Sequence, residues 1–244
     1  MSRKRIVVTG IATFLVGALL LFPARVAYQW FAPEPVKLSG IEGSVWSGKA
    51  SSGLVGGIYI TNLNWSFKPF ALLTGKLAFD TSVNTAAGPL STGAAVAIGG
   101  KVSFTDLVAS LQLAAVHPSM QANRIDGTVN IQLSSLILVN GWPTEVEGSI
   151  GVGNLVAGAA GPDPLGNFRA DITTDESGIV GLVKDTGAVL DVTGTLQLGD
   201  NRSYSLIGLV TANSETPALL NQNLRALGSP DENGAREFRL EGSL

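Results

Sequence analysis

At 244 residues the chain has room for one large β-rich domain, or two small ones, together with an anchor. It holds no cysteine and a single histidine, His117, which excludes a disulfide framework, thiolate metal sites, most zinc sites and histidine-based triads. Charged residues make up only 14%, against about a quarter in an average soluble domain, and they are unevenly spread: Arg3, Lys4, Arg5 and Arg25 stand without an acid in residues 1–30, while the remainder carries 12 basic and 19 acidic residues, a balance that argues against nucleic acid as a partner.

The chain opens on Arg3-Lys4-Arg5, followed by an uncharged apolar run from Ile6 to Phe22. As a helix this run spans roughly 25 Å, and continuing through Pro23 and Ala24 brings it close to a hydrocarbon core of about 30 Å. A cleaved signal peptide is the competing reading. The nearest small-residue site, Ala24-Arg25-Val26-Ala27, puts Arg25 where a small residue is wanted, so the uncleaved anchor is favoured. Three positive charges ahead of the run place the N-terminus in the cytoplasm. The chain from about Tyr28 then lies outside the cytoplasmic membrane, in the periplasm of a Gram-negative cell. Tyr28, Trp30 and Phe31 form an aromatic cluster suited to the headgroup layer.

Beyond an extended exit through Pro33 and Pro35, residues Leu38 to Lys49 read as strand, turn, strand, with Val45 and Trp46 at strand positions. Leu54 to Phe67 reads as one long strand whose alternation slips between Ile60 and Leu63, as a bulge would produce. Pro69 stops it, and Phe70 to Leu73 suits one helical turn. Strands follow at Leu77–Phe79, 96–98 and 102–104, then a short helix from Asp106 to about Leu113, capped by Thr105 with Leu107 and Leu111 on one face. From Ile125 the alternation is cleaner, through 127–133, 146–152, 168–172, 179–183, 189–198 and 203–210, with a loop at 158–166. A helix over 217–227 begins after Thr216 and ends at Gly228, and Phe238, Leu240 and Leu244 mark a final strand. Twelve to fourteen short strands and one or two short helices predict a mainly β protein: an N-terminal transmembrane helix, then a large curved antiparallel sheet or an incomplete β-barrel or groove.

Chemistry is sparse. Glu145 and Glu147 share one strand face, where exposure is the ordinary condition of acids. Asp163, Asp171, Asp175 and Glu176 lack calcium-loop spacing. His117 precedes Pro118 in a polar turn. No nucleophile elbow and no phosphate-binding loop occurs. The sequence therefore gives no catalytic, cofactor-binding or metal-binding residue, and the chain reads as no enzyme, with no cofactor. Two classes remain: an interaction protein of an envelope complex, and a groove protein that holds a lipid chain. An outer-membrane barrel is disfavoured by the uncleaved anchor and by the helix at 217–227.

Two tryptophan elements identify the chain further. Gly43-Ser44-Val45-Trp46-Ser47-Gly48 is followed by Trp65-Ser66-Phe67-Lys68-Pro69, then by Leu72-Leu73-Thr74-Gly75-Lys76-Leu77, and the tail runs Leu227-Gly228, Gly234 and Phe238-Arg239-Leu240-Glu241-Gly242-Ser243-Leu244. In this order and spacing the chain resembles the type II secretion system protein N family, known also as general secretion pathway protein N. The resemblance implies a cytoplasmic start at 1–5, a transmembrane anchor at 6–24, a linker at 25–37 and a periplasmic β-rich domain at 38–244. It implies an accessory inner-membrane component that supports export of folded proteins from the periplasm across the outer membrane. The implied partners are other secretion components, inner-membrane platform proteins or the secretin, together with membrane lipids. The family is also related to AsmA-like envelope proteins, which implies lipid binding or transfer as the alternative. Gly43, Trp46, Gly48, Trp65, Pro69, Gly228 and Gly242 are the structural motif residues, and Trp46 and Trp65 are expected as aromatic anchors of the first strand pair.

Overall fold

The computed structural model describes residues 3–32, 34–97, 99–199 and 202–243. The chain divides into two compact units, residues 1–85 and 86–244. Among the described residues it has fourteen strands and a few short helices, so it is mainly β, as its alternation predicts.

The first unit opens with helix α1 (Arg3–Leu20) and helix α2 (Ala24–Phe31), separated at Pro23. No helix among the described residues is long and apolar enough to cross a membrane. The sequence places one apolar span at 6–24, whereas the helix closes at Leu20 and its first turn is occupied by Arg3, Lys4 and Arg5. The helical stretch free of charge is thus about 22 Å long, short of a bilayer core. The side chains of α1 from Val7 onward lie almost entirely exposed, so this helix buries no face against the described residues. The segment read as a linker holds α2, whose Ala24 is buried and whose Trp30 and Phe31 face outward.

Strands β1 (Val36–Ser39), β2 (Glu42–Gly43), β3 (Ser47–Val55), β4 (Ile58–Phe67) and β5 (Lys76–Thr85) complete this unit. β3 pairs antiparallel with β1, β2 and β4, and β4 with β5. The single strand expected over Leu54–Phe67 is instead a hairpin. Gly56 and Gly57 both take positive φ, +57° and +86°, and close a two-residue loop between the paired Val55 and Ile58. The slip in alternation further along is a bulge: the β4–β5 register shifts between Thr61 and Asn64, and Asn62 sits at φ 51°. A 3₁₀ turn, Pro69–Thr74, joins β4 to β5 where a helical turn is expected, and Gly75 ends it in the left-handed region.

The second unit runs β6 (Pro89–Ala97), β7 (Val102–Gln112), α3 (Leu113–Val116), α4 (Pro118–Ala122), β8 (Ile125–Val139), β9 (Trp142–Ala157), β10 (Gly166–Asp175), β11 (Gly178–Ala188), β12 (Leu190–Leu198), β13 (Ser203–Ala212), α5 (Ala218–Leu224) and β14 (Arg236–Ser243). Each strand pairs antiparallel with the next. No pairing closes β6 onto β14 among the described residues, so the order is that of an open sheet. The helix expected from Asp106 to Leu113 is strand β7. Leu107 and Leu111 are four apart, a spacing that shares a face in a strand as well as in a helix, so that pair alone cannot separate the two periods. Short helices follow one turn later, with His117 as the N-cap of α4, its Nδ1 accepting from Ser119 N–H at 3.2 Å.

Two apolar clusters hold this unit. Leu133, Val146, Ile172 and Ile179 are buried together across β8 to β11. Leu190 and Val210 receive Leu220 and Leu224 of α5. Leu227, expected on the same helical face, lies beyond α5 in a 3₁₀ turn and is exposed, while Thr216 hydrogen-bonds the Val189 carbonyl rather than capping the helix with its side chain. Leu244 of the expected final strand lies outside the described residues. Among the described residues no large side chain is fully buried. Ladder hydrogen bonds and cross-strand pairs therefore carry more of the stability here than in a two-layer sandwich.

Candidate functional site

The tryptophan motif gathers at one end of the first unit's strands. Between β2 and β3, Ser44 makes an isolated antiparallel bridge to Pro23, and Val45 and Trp46 form a bend rather than a strand. Ser44 Oγ accepts from the Trp46 and Ser47 N–H groups, both at 3.2 Å, and Ser44 N–H donates to the Ser47 carbonyl at 2.9 Å. Gly43 makes this turn possible: its φ is +91°, and a Cβ there would stand 2.5 Å from the Ser47 carbonyl oxygen.

The bend meets the end of the N-terminal helix. The last carbonyls of a helix have no partner within it. Here the Trp46 indole Nε1–H donates to the Leu19 carbonyl at 2.8 Å, and Val45 N–H donates to the Phe22 carbonyl at 3.0 Å. Trp46 therefore ties the end of α1 to the sheet through a side chain, and Val45 ties the following turn through the backbone. The Trp46 ring lies 4.8 Å from that of Phe67, which lies 5.3 Å from that of Phe79, so an aromatic row runs from the bend across β4 to β5.

Trp65 stands opposite Gly48 in the β3–β4 register. A Cβ on Gly48 would be 2.5 Å from both the Glu42 carbonyl and the Trp65 ring, so the indole lies across the space that a side chain would fill. Its Nε1–H donates to the Ser44 carbonyl at 3.2 Å. Both indoles thus satisfy their donors, Trp65 on the bend and Trp46 on the end of α1. The same glycine-under-ring device closes the other end of the chain: Gly242 pairs with Tyr204, whose ring a Cβ would meet at 2.7 Å, and Gly208 pairs with Phe238 likewise. Pro69 starts the 3₁₀ turn after β4. Gly228 ends the 3₁₀ turn after α5 at φ +105°, and its carbonyl accepts from Arg236. The structure brings Gly43, Trp46, Gly48, Trp65 and Pro69 into one unit at neighbouring positions; Gly228 and Gly242 belong to the second.

One feature the sequence reading missed is an apolar cavity of about 350 Å³, lined by Ala24, Tyr28, Leu38, Leu63, Trp65 and Phe79 among others. Tyr28, expected at a headgroup layer, is half-buried at its edge. Its hydroxyl donates to the Val36 carbonyl at 3.1 Å and accepts from Leu38 N–H at 2.8 Å, which docks α2 on β1. The signal was present as the amphipathic spacing of Ala24, Ala27 and Tyr28.

The acids scatter. Glu145 and Glu147 are exposed on β9. Asp171 is ion-paired with Arg169 and Lys184, and the Arg169 hydrogen bond holds its carboxyl below the usual value. Asp175 is lowered by the Ser177 hydroxyl and N–H that close a turn. No group of three or more His, Asp or Glu residues suited to a metal ion occurs among the described residues.

An N-terminal helix pinned by an indole, a glycine–aromatic strand pair and a run of sequential antiparallel hairpins define a mainly β protein with an apolar N-terminal helix. Residues 34–239 match the family described as Type II secretion system (T2SS), protein N. The chain belongs to that family. It is 23% identical to the type II secretion system protein N of Aeromonas hydrophila over 253 aligned positions, which cover all of both chains. It is 26% identical to that of Vibrio cholerae serotype O1 over 251 positions, covering 99% of this chain and all of the relative. No solved structure matches the chain. The chain is thus a type II secretion component.

Proposed function

We propose that the protein is an accessory, non-catalytic inner-membrane component of the secretion system, with its β-rich body in the periplasm, supporting passage of folded proteins across the outer membrane. The carrying observation is the family match over residues 34–239, joined to an exposed apolar helix that leads directly into the matched region. α1 is the anchor in this reading. Its short apolar stretch spans with help from Leu21 and Phe22 and local thinning of the bilayer. The motif residues serve attachment: Trp46 holds the anchor's end to the bend before β3, and Trp65 braces that bend from β4. Partners are other secretion components, inner-membrane platform proteins or the secretin. Deleting the gene and following exported enzymes tests this. Secreted proteins should accumulate folded in the periplasm and be restored by the full chain; unchanged secretion overturns the reading.

A second reading is favoured by the apolar cavity beside Trp65. A pocket of about 350 Å³ with Leu38, Leu63 and Phe79 on its walls suits part of an acyl chain, in keeping with the family's relation to AsmA-like envelope proteins.

A further inference from the structure

The 3₁₀ turn between β4 and β5 is apolar where it faces outward. Phe70 is 82% exposed and Leu73 85%, with Leu72 and Leu77 also exposed. Nothing among the described residues covers them. A tip of this kind needs an occupant, because clustered exposed apolar side chains on a β-hairpin are costly in water. Its position indicates which occupant.

The turn lies at the end of the strands that carries the helix. Phe67 N–H donates to the Trp46 carbonyl, and Trp46 Nε1–H donates to the Leu19 carbonyl. β4 ends at Phe67, and two residues later the chain enters the turn. The apolar tip and the apolar helix therefore leave the sheet from one end, and Trp30 and Phe31 of α2, also outward-facing, stand in the chain just beyond α1. The charges suit the same neighbour. From Phe67 to Phe79 the chain holds Lys68 and Lys76 and no acid; Lys68 is paired with Asp80, and residues 1–30 hold no acid either. Lys76 and the Lys68–Asp80 pair, flanking exposed aromatic and leucine side chains, suit an interfacial membrane contact.

We propose that the Pro69–Thr74 turn is a second membrane contact, a wedge that seats Phe70 and Leu73 in the outer leaflet beside the anchor and stands the first unit's strands end-on to the bilayer. This rests on the anchor reading of α1. Two attachment points fix an orientation that one flexible helix cannot, and they do so at the low cost of a contact already held near the lipid.

The chain lacks cysteine, so single labelling sites are unambiguous. Leu73→Cys, Val16→Cys and Ile58→Cys would each be introduced into the full chain, labelled with an environment-sensitive dye and reconstituted in vesicles of phosphatidylcholine and phosphatidylglycerol carrying lipid-borne quencher. All three positions are exposed, and Ile58 lies at the far end of β4, roughly 30 Å from Phe67. The expected result is a blue shift and loss of emission at positions 73 and 16, with position 58 unchanged. Quenching at 16 but not at 73 overturns the wedge and leaves the anchor standing, the turn then facing water or a protein. Equal quenching at 73 and 58 also overturns it, because the strands would lie flat on the lipid. An unquenched label at 16 removes the anchor reading and the wedge with it.

Discussion

At the scale of single residues, Trp46 and Trp65 do different work with one chemistry. Each has a large apolar ring and one N–H donor. Trp65 covers Gly48 and donates within the bend, so its role is local packing. Trp46 donates across 27 residues to the Leu19 carbonyl, which otherwise accepts only the longer 3.3 Å bond from Phe22 N–H. Trp46→Phe keeps the contact with Phe67 but removes that bond, which costs about 0.5–1.5 kcal/mol. Trp46→Ala removes the ring as well. Core Trp→Ala changes cost about 3–5 kcal/mol, and a half-buried site about 2. Urea unfolding of the full chain in detergent should rank wild type, Trp46→Phe and Trp46→Ala in falling midpoint. Cellular abundance should fall in the same order. Lost secretion at normal abundance would instead make Trp46 a contact for a partner.

At the scale of elements, the bulge in β4 is where sequence and structure agree most closely. Ile58, Ile60, Leu63 and Trp65 keep the apolar alternation only if one residue is skipped, and Asn62 is skipped by turning to φ 51°. Asparagine tolerates this region; a β-branched residue does not. Asn62→Val should lower stability by about 1–2 kcal/mol, while Asn62→Gly should stay near wild type, measured as the denaturation midpoint at constant slope. The alternation of β8 to β13 was legible for the same reason: period two repeats over many residues and glycines mark the turns. What was not legible follows from short elements. Leu107 and Leu111 fit both periods, so β7 read as helix. Gly56-Gly57 is a two-residue hairpin signal hidden inside an unbroken apolar run. The cavity and the role of Trp46 depend on Tyr28 and Leu19 meeting strands distant in sequence, which no local pattern encodes. The two tryptophans were identifiable by their glycine frames, but their hydrogen-bond partners were not.

At the scale of the whole molecule, low charge makes the few ion pairs a sensitive reporter. Asp171, Asp175 and Glu241 all have carboxyls held below their ordinary values, by the hydrogen bonds of Arg169, Ser177 and Arg239 respectively. The sign follows from linkage. A carboxylate whose folded value is depressed binds its proton less readily when folded than when unfolded, so its contribution is present in full above the unfolded value, about 4. It is lost as pH falls through the folded value. Asp175 and Glu241 are exposed and Asp171 is half-buried but solvent-accessible, so each contribution is small and screened by salt. The expectation is a flat melting temperature from pH 7 to about 5, a decline below about 4, and a shallower decline in the Asp171→Asn, Glu241→Gln double variant. Thermal melts followed by circular dichroism on the full chain in detergent, at low and high salt, would read it. A double variant that declines as steeply as wild type would assign acid sensitivity to other carboxylates. Because all three groups lie in the second unit, the decline should leave the Trp46–Leu19 attachment intact, and in a Trp142→Phe variant, whose remaining tryptophans lie in the first unit, fluorescence should change at a lower pH than the β-sheet signal.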